Sequence, residues 1–331
     1  MDIYFIQNIP KAHYAHKAFA EAINATFILP GPKKIWLPFI PFYNLPKILL
    51  SFKEYKKNSK FFCEGVAGLY FAGTLKIFRP DIKIIYHDAD ALFYRDYPRF
   101  RGLKKKFVDF FLKKIDFIIS DSKISKKYIN KYLHKPTRVV YPFVDTRKFH
   151  FNPNLKSKNI IYVGRLADEK NLFRLLEAYK LIKKKISRSK LYIIGDGPQR
   201  KELERYVRKK RINGVCFTGW LKNFKKYLND SIIGYNVSKF EPFGCAGLEY
   251  VLSGIIPLLG KRNGNIEVLN EKMIIADPNN SWDIAKKILF LLNLSEEEKL
   301  GLIKKLRKRA LKINKENQCK KFKTAFEELI R

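Results

Sequence analysis

The segment Glu241-Pro242-Phe243-Gly244-Cys245-Ala246-Gly247-Leu248-Glu249 sets two carboxylates around a glycine turn. Ser231 to Val237, before it, has strand composition, and Leu248 to Leu252, after it, has helical spacing. That pattern predicts a strand-to-helix turn at Gly244 to Gly247. The first N–H groups of a helix have no acceptor within it and carry partial positive charge, so such a turn suits a phosphate. Glu241 is expected in the loop beneath a ligand and Glu249 on the opening turns of the helix. Carboxylates at two heights match a ligand with a phosphate in the middle and hydroxyls at both ends, as in a sugar nucleotide.

The elements that must position these residues follow from the alternation of short apolar runs with longer helical patterns, the signature of a parallel α/β sheet. From Lys158 onward, strands are expected at Asn159 to Val163, Leu191 to Ile194, Val215 to Thr218, Ile232 to Val237 and Ile255 to Leu259, with helices at Leu172 to Lys184 and Lys201 to Lys210. Continuous apolarity says that these strands are covered on both faces. In the first half, Ile3 to Ile6, Thr26 to Leu29, Phe61 to Cys63, Ile82 to Tyr86, Phe117 to Ser120 and Thr137 to Tyr141 read as strands, with helices at His16 to Ile23 and Lys123 to Leu133. Two prolines and a polar tract between Tyr141 and Asn154 mark a domain junction, and beyond Asp277-Pro278 the pattern is helical to the end.

With 331 residues, 46% hydrophobic, the chain can bury two cores. Its 67 Lys and Arg against 31 Asp and Glu leave a net charge of +36, which predicts attraction to polyanions: nucleic acid, anionic lipid or a phosphorylated substrate. Cys63, Cys216, Cys245 and Cys319 lie far apart, so neither a disulfide framework nor a zinc motif is indicated, and a reducing cytoplasmic setting is expected. Met1 to Ile6 begins a strand directly, with no signal peptide and no bilayer-spanning run expected.

Taken together, the motifs resemble the retaining nucleotide-sugar glycosyltransferases of the GT-B fold, specifically family four. The resemblance is carried by Ser120-Asp121-Ser122, Val139-Val140-Tyr141-Pro142, Val144-Asp145 with Phe149, Tyr162-Val163-Gly164-Arg165-Leu166 with Glu169-Lys170-Asn171, Gly195-Asp196-Gly197-Pro198, Phe217-Thr218-Gly219 and the paired glutamates, in that order. It covers roughly half the chain, from Ile118 to Val268. It implies two Rossmann-like domains facing across a cleft: an acceptor-side domain over 1–148, a nucleotide-sugar domain over 149–312, and a C-terminal helix over 313–331 returning to the first domain.

The same resemblance implies site roles. Arg165 and Lys170 would neutralise a diphosphate and the charge developing on the departing nucleotide; the alternative is surface pairing with Asp168 and Glu169. Glu249 would accept hydrogen bonds from ribose hydroxyls, and Glu241 would contact the transferred sugar. Backbone N–H groups of Gly244, Cys245 and Ala246 would hold the distal phosphate, with Gly164 and Gly195 lining the donor. His87, followed by Asp88, would approach the sugar from the first domain. His13, His16, His134 and His150 are read as structural. Neither glutamate is a hydrolase-type acid or nucleophile in this scheme, and no metal or other cofactor is required. Asp88-Ala89-Asp90 has the letters of a metal motif but is read as loop structure. The donor is a nucleotide sugar, with UDP favoured over GDP, and the acceptor a glycan or a lipid-linked glycan.

Two departures from the family pattern are visible. The loop after the first strand reads Asn8-Ile9-Pro10-Lys11-Ala12-His13 in place of a Gly-Gly pair, and Ser253-Gly254-Ile255-Ile256-Pro257 carries one extra residue. Arg99 to Lys114 combines Leu103, Phe107, Phe110 and Phe111 with Arg101, Lys104, Lys105, Lys106, Lys113 and Lys114, the pattern of an interfacial helix on an anionic, cytoplasmic membrane face; packing of its aromatic face on the core is the alternative. Other classes are a nucleic-acid-binding protein, for which no motif speaks, a glycosyltransferase acting on DNA, and an inactive scaffold, against which Arg165, Lys170, Glu241 and Glu249 argue.

Overall fold

The structure, a computed structural model, describes residues 2–6, 14–28, 55–88 and 92–330. The chain divides into two compact units, Met1–Phe143 with Lys315–Arg331, and Val144–Asn314. The loop from Asn8 to His13, Leu29, Ala89 and Asp90, on which parts of the sequence reading fall, lie outside the described residues.

The first unit runs β1 (Ile3–Ile6), α1 (Tyr14–Ala22), β2 (Thr26–Ile28), β3 (Lys60–Glu64), α2 (Gly65–Phe78), β4 (Lys83–Asp88), α3 (Gly102–Leu112), β5 (Phe117–Ser120), α4 (Lys123–Ile129) and β6 (Thr137–Val139). Its strands form a parallel sheet in the order β2-β1-β3-β4-β5-β6. All of β3 is buried, as expected of a strand covered on both faces. Helix α4 ends four residues before the predicted Leu133, because Tyr132 and Leu133 both turn their N–H groups onto the Ile129 carbonyl at 2.9 Å.

The second unit runs β7 (Ile160–Val163), α5 (Leu172–Lys185), β8 (Leu191–Ile194), α6 (Arg200–Lys209), β9 (Val215–Gly219), α7 (Lys225–Asn229), β10 (Ile233–Asn236), α8 (Cys245–Ser253), β11 (Ile256–Gly260), α9 (Asn265–Leu269), β12 (Ile275–Ala276), α10 (Ser281–Asn293) and α11 (Glu296–Ala310). The sheet order is β12-β11-β10-β7-β8-β9, again parallel. Leu172, Leu175, Leu176, Tyr179 and Ile182 are buried at helical spacing along α5. A capping box starts α11: the Glu298 N–H donates to Ser295 Oγ at 3.1 Å and the Ser295 N–H to Glu298 Oε2 at 2.7 Å.

The last helix, α12 (Lys315–Ile330), belongs to the first unit. Its Phe322 ring is fully buried, stacked on Phe19 of α1 at 4.6 Å and set edge-on to Phe62 of β3 at 5.1 Å. Burial of such a ring contributes roughly 1.5–3 kcal/mol, enough to fix the chain terminus on this sheet.

Helix α3 divides the aromatic face read from its spacing. Val108, Phe111 and Leu112 are buried, and Phe107 and Phe111 pack on Tyr70 of α2 at 5.3 and 4.9 Å. A Cβ on Gly73 would sit 2.5 Å from the Phe111 ring, so the glycine makes the place for it. Leu103 and Phe110 stay out, 84% and 47% exposed, beside the lysines. The single apolar face expected over Leu103, Phe107, Phe110 and Phe111 is thus half core and half surface.

Candidate functional site

In the second sheet β7 lies between β8 and β10. The chain winds from β7 to β8 and β9 on one side and through β10, β11 and β12 on the other, so the loops leaving β7 and β10 diverge. Such a switch point opens a crevice at the carboxyl ends of the strands, where ligands bind in open α/β sheets. Gly164, Arg165 and Lys170 are on the loop after β7; Glu241, Gly244 and the start of α8 are on the loop after β10.

Lys170 joins the two loops. Its Nζ donates to Glu241 Oε2 at 2.5 Å, and Ser238 Oγ donates to the same oxygen at 3.2 Å. Arg165 pairs with Glu169 through its guanidinium and is 61% exposed, while Asp168 is held by Lys239 at 2.7 Å. Pairing with neighbouring carboxylates therefore describes Arg165 but not Lys170, whose partner lies 71 residues away across the switch point.

Glu241 is fixed through its backbone as well. Its N–H donates to the Arg262 carbonyl at 2.9 Å, and its carbonyl accepts from Gly264 N–H at 3.1 Å. Gly244 caps α8 with φ +79°, and a Cβ there would sit 2.5 Å from Glu241 Cγ. Only glycine satisfies both the left-handed backbone and the close approach. Asn265 Nδ2 donates to the carbonyls of Phe243 and Gly244, the latter at 2.7 Å, holding the turn from beneath. Cys245 and Ala246 form the first turn of α8, whose N-terminus points its positive end at this loop.

Glu249 stands one turn further along α8, half-buried. Burial pushes its carboxyl up to about 7, and the Lys148 charge only partly opposes this. Gly195, with φ +131°, ends β8; a Cβ on it would lie 1.9 Å from the Gly164 carbonyl oxygen. Close packing of the β7 and β8 loops accounts for that glycine without a ligand.

His87, expected to approach the sugar, is turned into the first unit instead of outward. It lies in β4 of the first unit and is fully buried, because α1 covers that part of the sheet edge. Its Nε2 is 2.8 Å from Asp121 Oδ1, its ring stacks on Phe62 at 5.4 Å, and His16 of α1 lies edge-on at 4.5 Å. It presents no surface to a sugar in this conformation. The structure sets Gly164, Arg165 and Lys170 on the loop after β7 and Glu241, Gly244, Cys245, Ala246 and Glu249 on the loop after β10 and on α8, with Lys170 and Glu241 in contact and Gly195 packed behind the β7 loop.

Residues not singled out for roles from the sequence support this loop pair. Asn263 Nδ2 donates to the Asn236 carbonyl at 3.1 Å, Tyr250 OH accepts from Val163 N–H at 2.9 Å, and Tyr162 OH donates to the Arg165 carbonyl at 2.7 Å. Asn236, Asn263 and Asn265 are all buried. A lone asparagine closing an otherwise apolar strand, as at Asn236, was the available signal, since buried amides persist where they tie loops together.

Comparison with known proteins gives the family of the chain. The family model described as "Glycosyl transferases group 1" matches residues 144–313, half of the chain. The 2-deoxystreptamine N-acetyl-D-glucosaminyltransferase of Niallia circulans is 29% identical over 155 residues, 45% of this chain and 40% of that protein. The alpha-monoglucosyldiacylglycerol synthase of Streptococcus pneumoniae is 26% identical over 257 residues, 69% of this chain and 56% of that one. The matched segments thus span about half the length of these curated relatives. Among solved structures, Anabaena HepE in complex with UDP and glucose has a TM-score of 0.78 at 14% identity, covering 99% of each chain, a likeness of fold. With two parallel-sheet units of the GT-B type and a matched second unit, the chain belongs to the glycosyl transferases group 1 family.

Proposed function

We propose that the protein transfers a hexosyl unit from a nucleotide sugar, with UDP as the nucleotide, to a glycan or lipid-linked acceptor, with retention of configuration and without a metal at the diphosphate. The observation that carries this is the Lys170–Glu241 pair, which closes the switch point directly beside the Gly244 turn. An arriving diphosphate competes with Glu241 for the Lys170 ammonium. Its capture releases a Glu241 oxygen to accept from sugar hydroxyls, so one exchange of partners positions both ends of the donor.

In this reading Lys170, Arg165 and the N–H groups at Gly244, Cys245 and Ala246 hold the diphosphate. They stabilise the charge that grows on it as the glycosidic bond breaks, the kind of donor whose removal costs about 10²–10³ in turnover. Glu249 accepts from the ribose hydroxyls. The carboxylates serve as holders, and the leaving phosphate helps deprotonate the acceptor. His87, buried against Asp121, takes no part. UDP is favoured because HepE is solved with UDP-glucose, and a lipid-linked acceptor at an anionic membrane face agrees with the glucosyldiacylglycerol synthase relative and with exposed Leu103 and Phe110 among lysines. No helix among the described residues is long and apolar enough to cross a membrane.

The test is release of UDP from UDP-glucose in the presence of candidate acceptors. Lys170→Met and Glu241→Gln are each expected to lower kcat about 10²-fold or more. Wild-type turnover in Glu241→Gln would remove this residue from the site.

A further inference from the structure

The geometry points to a divalent transition-metal site of the zinc type in the first unit, built from His16, His87 and Asp121 and supported by Glu64. The four side chains come from four elements that meet at the carboxyl edge of the first sheet: α1, β3, β4 and the residue after β5. One ligand atom from each of His16, His87 and Asp121 can be chosen so that all three lie within 4.8 Å of one another. His87 Nε2 is 2.8 Å from Asp121 Oδ1, and His16 Nε2 is 3.9 Å from Asp121 Oδ2. Metal bonds of about 2.0–2.2 Å to nitrogen and oxygen set tetrahedral ligand atoms roughly 3.3 Å apart, so both separations need to change by only about half an ångström.

The outer contact is the one such sites use. His16 turns its other nitrogen, Nδ1, to Glu64 Oε1 at 2.6 Å. A carboxylate behind a metal-bound imidazole fixes the tautomer and raises its basicity. His87 Nδ1, fully buried, has no hydrogen-bond partner among the described residues. That leaves either His87 nitrogen able to turn to the ion.

Charge balance points the same way. His16, Glu64, His87 and Asp121 are exposed by 6%, 7%, 0% and 3%, so the two carboxylates bring two negative charges out of water. Buried charge is tolerated when paired or metal-bound. A divalent cation held by two neutral imidazoles brings the cluster to zero. Two nitrogens and a carboxylate suit Zn²⁺, Co²⁺ or Fe²⁺ better than Mg²⁺ or Ca²⁺, which prefer all-oxygen shells. The site lies within one unit and is independent of the donor site proposed above.

The experiment uses the full chain, stripped with chelator, dialysed, and equilibrated with Zn²⁺ or Co²⁺. The expected result is one retained equivalent of Zn²⁺ by elemental analysis and visible d–d absorption on Co²⁺ loading. His87→Gln and Asp121→Asn are expected to abolish the Co²⁺ band, and Glu64→Gln to weaken Zn²⁺ binding about 10–100-fold. The double variant His134→Gln/His150→Gln, altering two exposed histidines, should retain the band in full. Circular dichroism checks that each variant is folded, and the wild-type spectrum decides the matter if one is not. Absence of Co²⁺ absorption and of retained Zn²⁺ in the wild-type chain overturns the site and leaves a hydrogen-bonded cluster. So does metal binding that survives in folded His87→Gln or is lost in the exposed-histidine variant.

Discussion

Nucleotide-sugar affinity should rise with pH through neutrality, and Glu249 is the reason. Its carboxyl is pushed from an ordinary 4.5 up to about 7 by burial. A raised carboxyl pKa means the folded chain binds the proton more tightly than the unfolded one, so this group's contribution to stability falls as pH rises from about 4.5 to 7. Ribose hydroxyls are donors, and the ionised carboxylate is the better acceptor. Binding therefore favours the form that the empty protein disfavours below pH 7. With a pKa near 7, about nine-tenths of Glu249 is protonated at pH 6 and about one-tenth at pH 8, so Kd should be about tenfold weaker at the lower pH. Binding at pH 6 should also release close to one proton, visible as a dependence of calorimetric enthalpy on the buffer. UDP-glucose is the ligand to use, because a terminal phosphate such as that of free UDP titrates near ~6 and would blur the profile. Glu249→Gln should bind about 10–100-fold more weakly at pH 8, the loss of a hydrogen bond to a charged group, and should flatten the profile. Equal wild-type affinity at pH 6 and 8, or an unchanged profile in Glu249→Gln, would refute the assignment.

Three further outcomes follow from the packing. Gly195→Ala forces a Cβ to within 1.9 Å of the Gly164 carbonyl and should cost about 1–3 kcal/mol or more in urea unfolding; wild-type stability would show that the β7 and β8 loops separate freely. Phe322→Ala removes a fully buried ring stacked on Phe19 and should destabilise the first unit by about 3–5 kcal/mol, against less than about 1 kcal/mol if α12 is not docked there. Flotation with anionic vesicles at low salt should retain the protein and lose it at least about tenfold in Leu103→Glu/Phe110→Glu, since each apolar side chain is worth about 1.5–3 kcal/mol when fully buried; equal partition onto neutral vesicles would dismiss the membrane contact.

The placement of the candidate donor residues was legible because they sit on short loops that follow recognisable strands. Gly164, Arg165 and Lys170 come directly after β7, and Glu241 and Gly244 come after β10, so strand order alone brings them to one edge. What spacing could not show was partner choice. Lys170 has Asp168 and Glu169 as sequence neighbours yet reaches Glu241, because β7 and β10 are adjacent in the sheet. Helix α3 misled for a related reason: periodicity says which residues share a face, not which neighbour has a glycine to receive them, and Gly73 takes Phe111 while Phe110 stays outside. His87 was placed by its position at a strand end, where a parallel sheet presents ligand contacts. The side chain nevertheless turns inward, onto Asp121 and His16. Glu64, Asp121 and His16 carry no common motif, since each is supplied by a different element.

The most direct measurement is equilibrium calorimetry of the full chain against UDP, GDP, ADP and their glucose and N-acetylglucosamine conjugates. One uracil nucleotide and its sugar conjugate should bind at a single site, and Lys170→Met and Glu249→Gln should each weaken that binding. Failure of every nucleotide to bind the folded wild-type chain would contradict the donor site at the β7–β10 switch point.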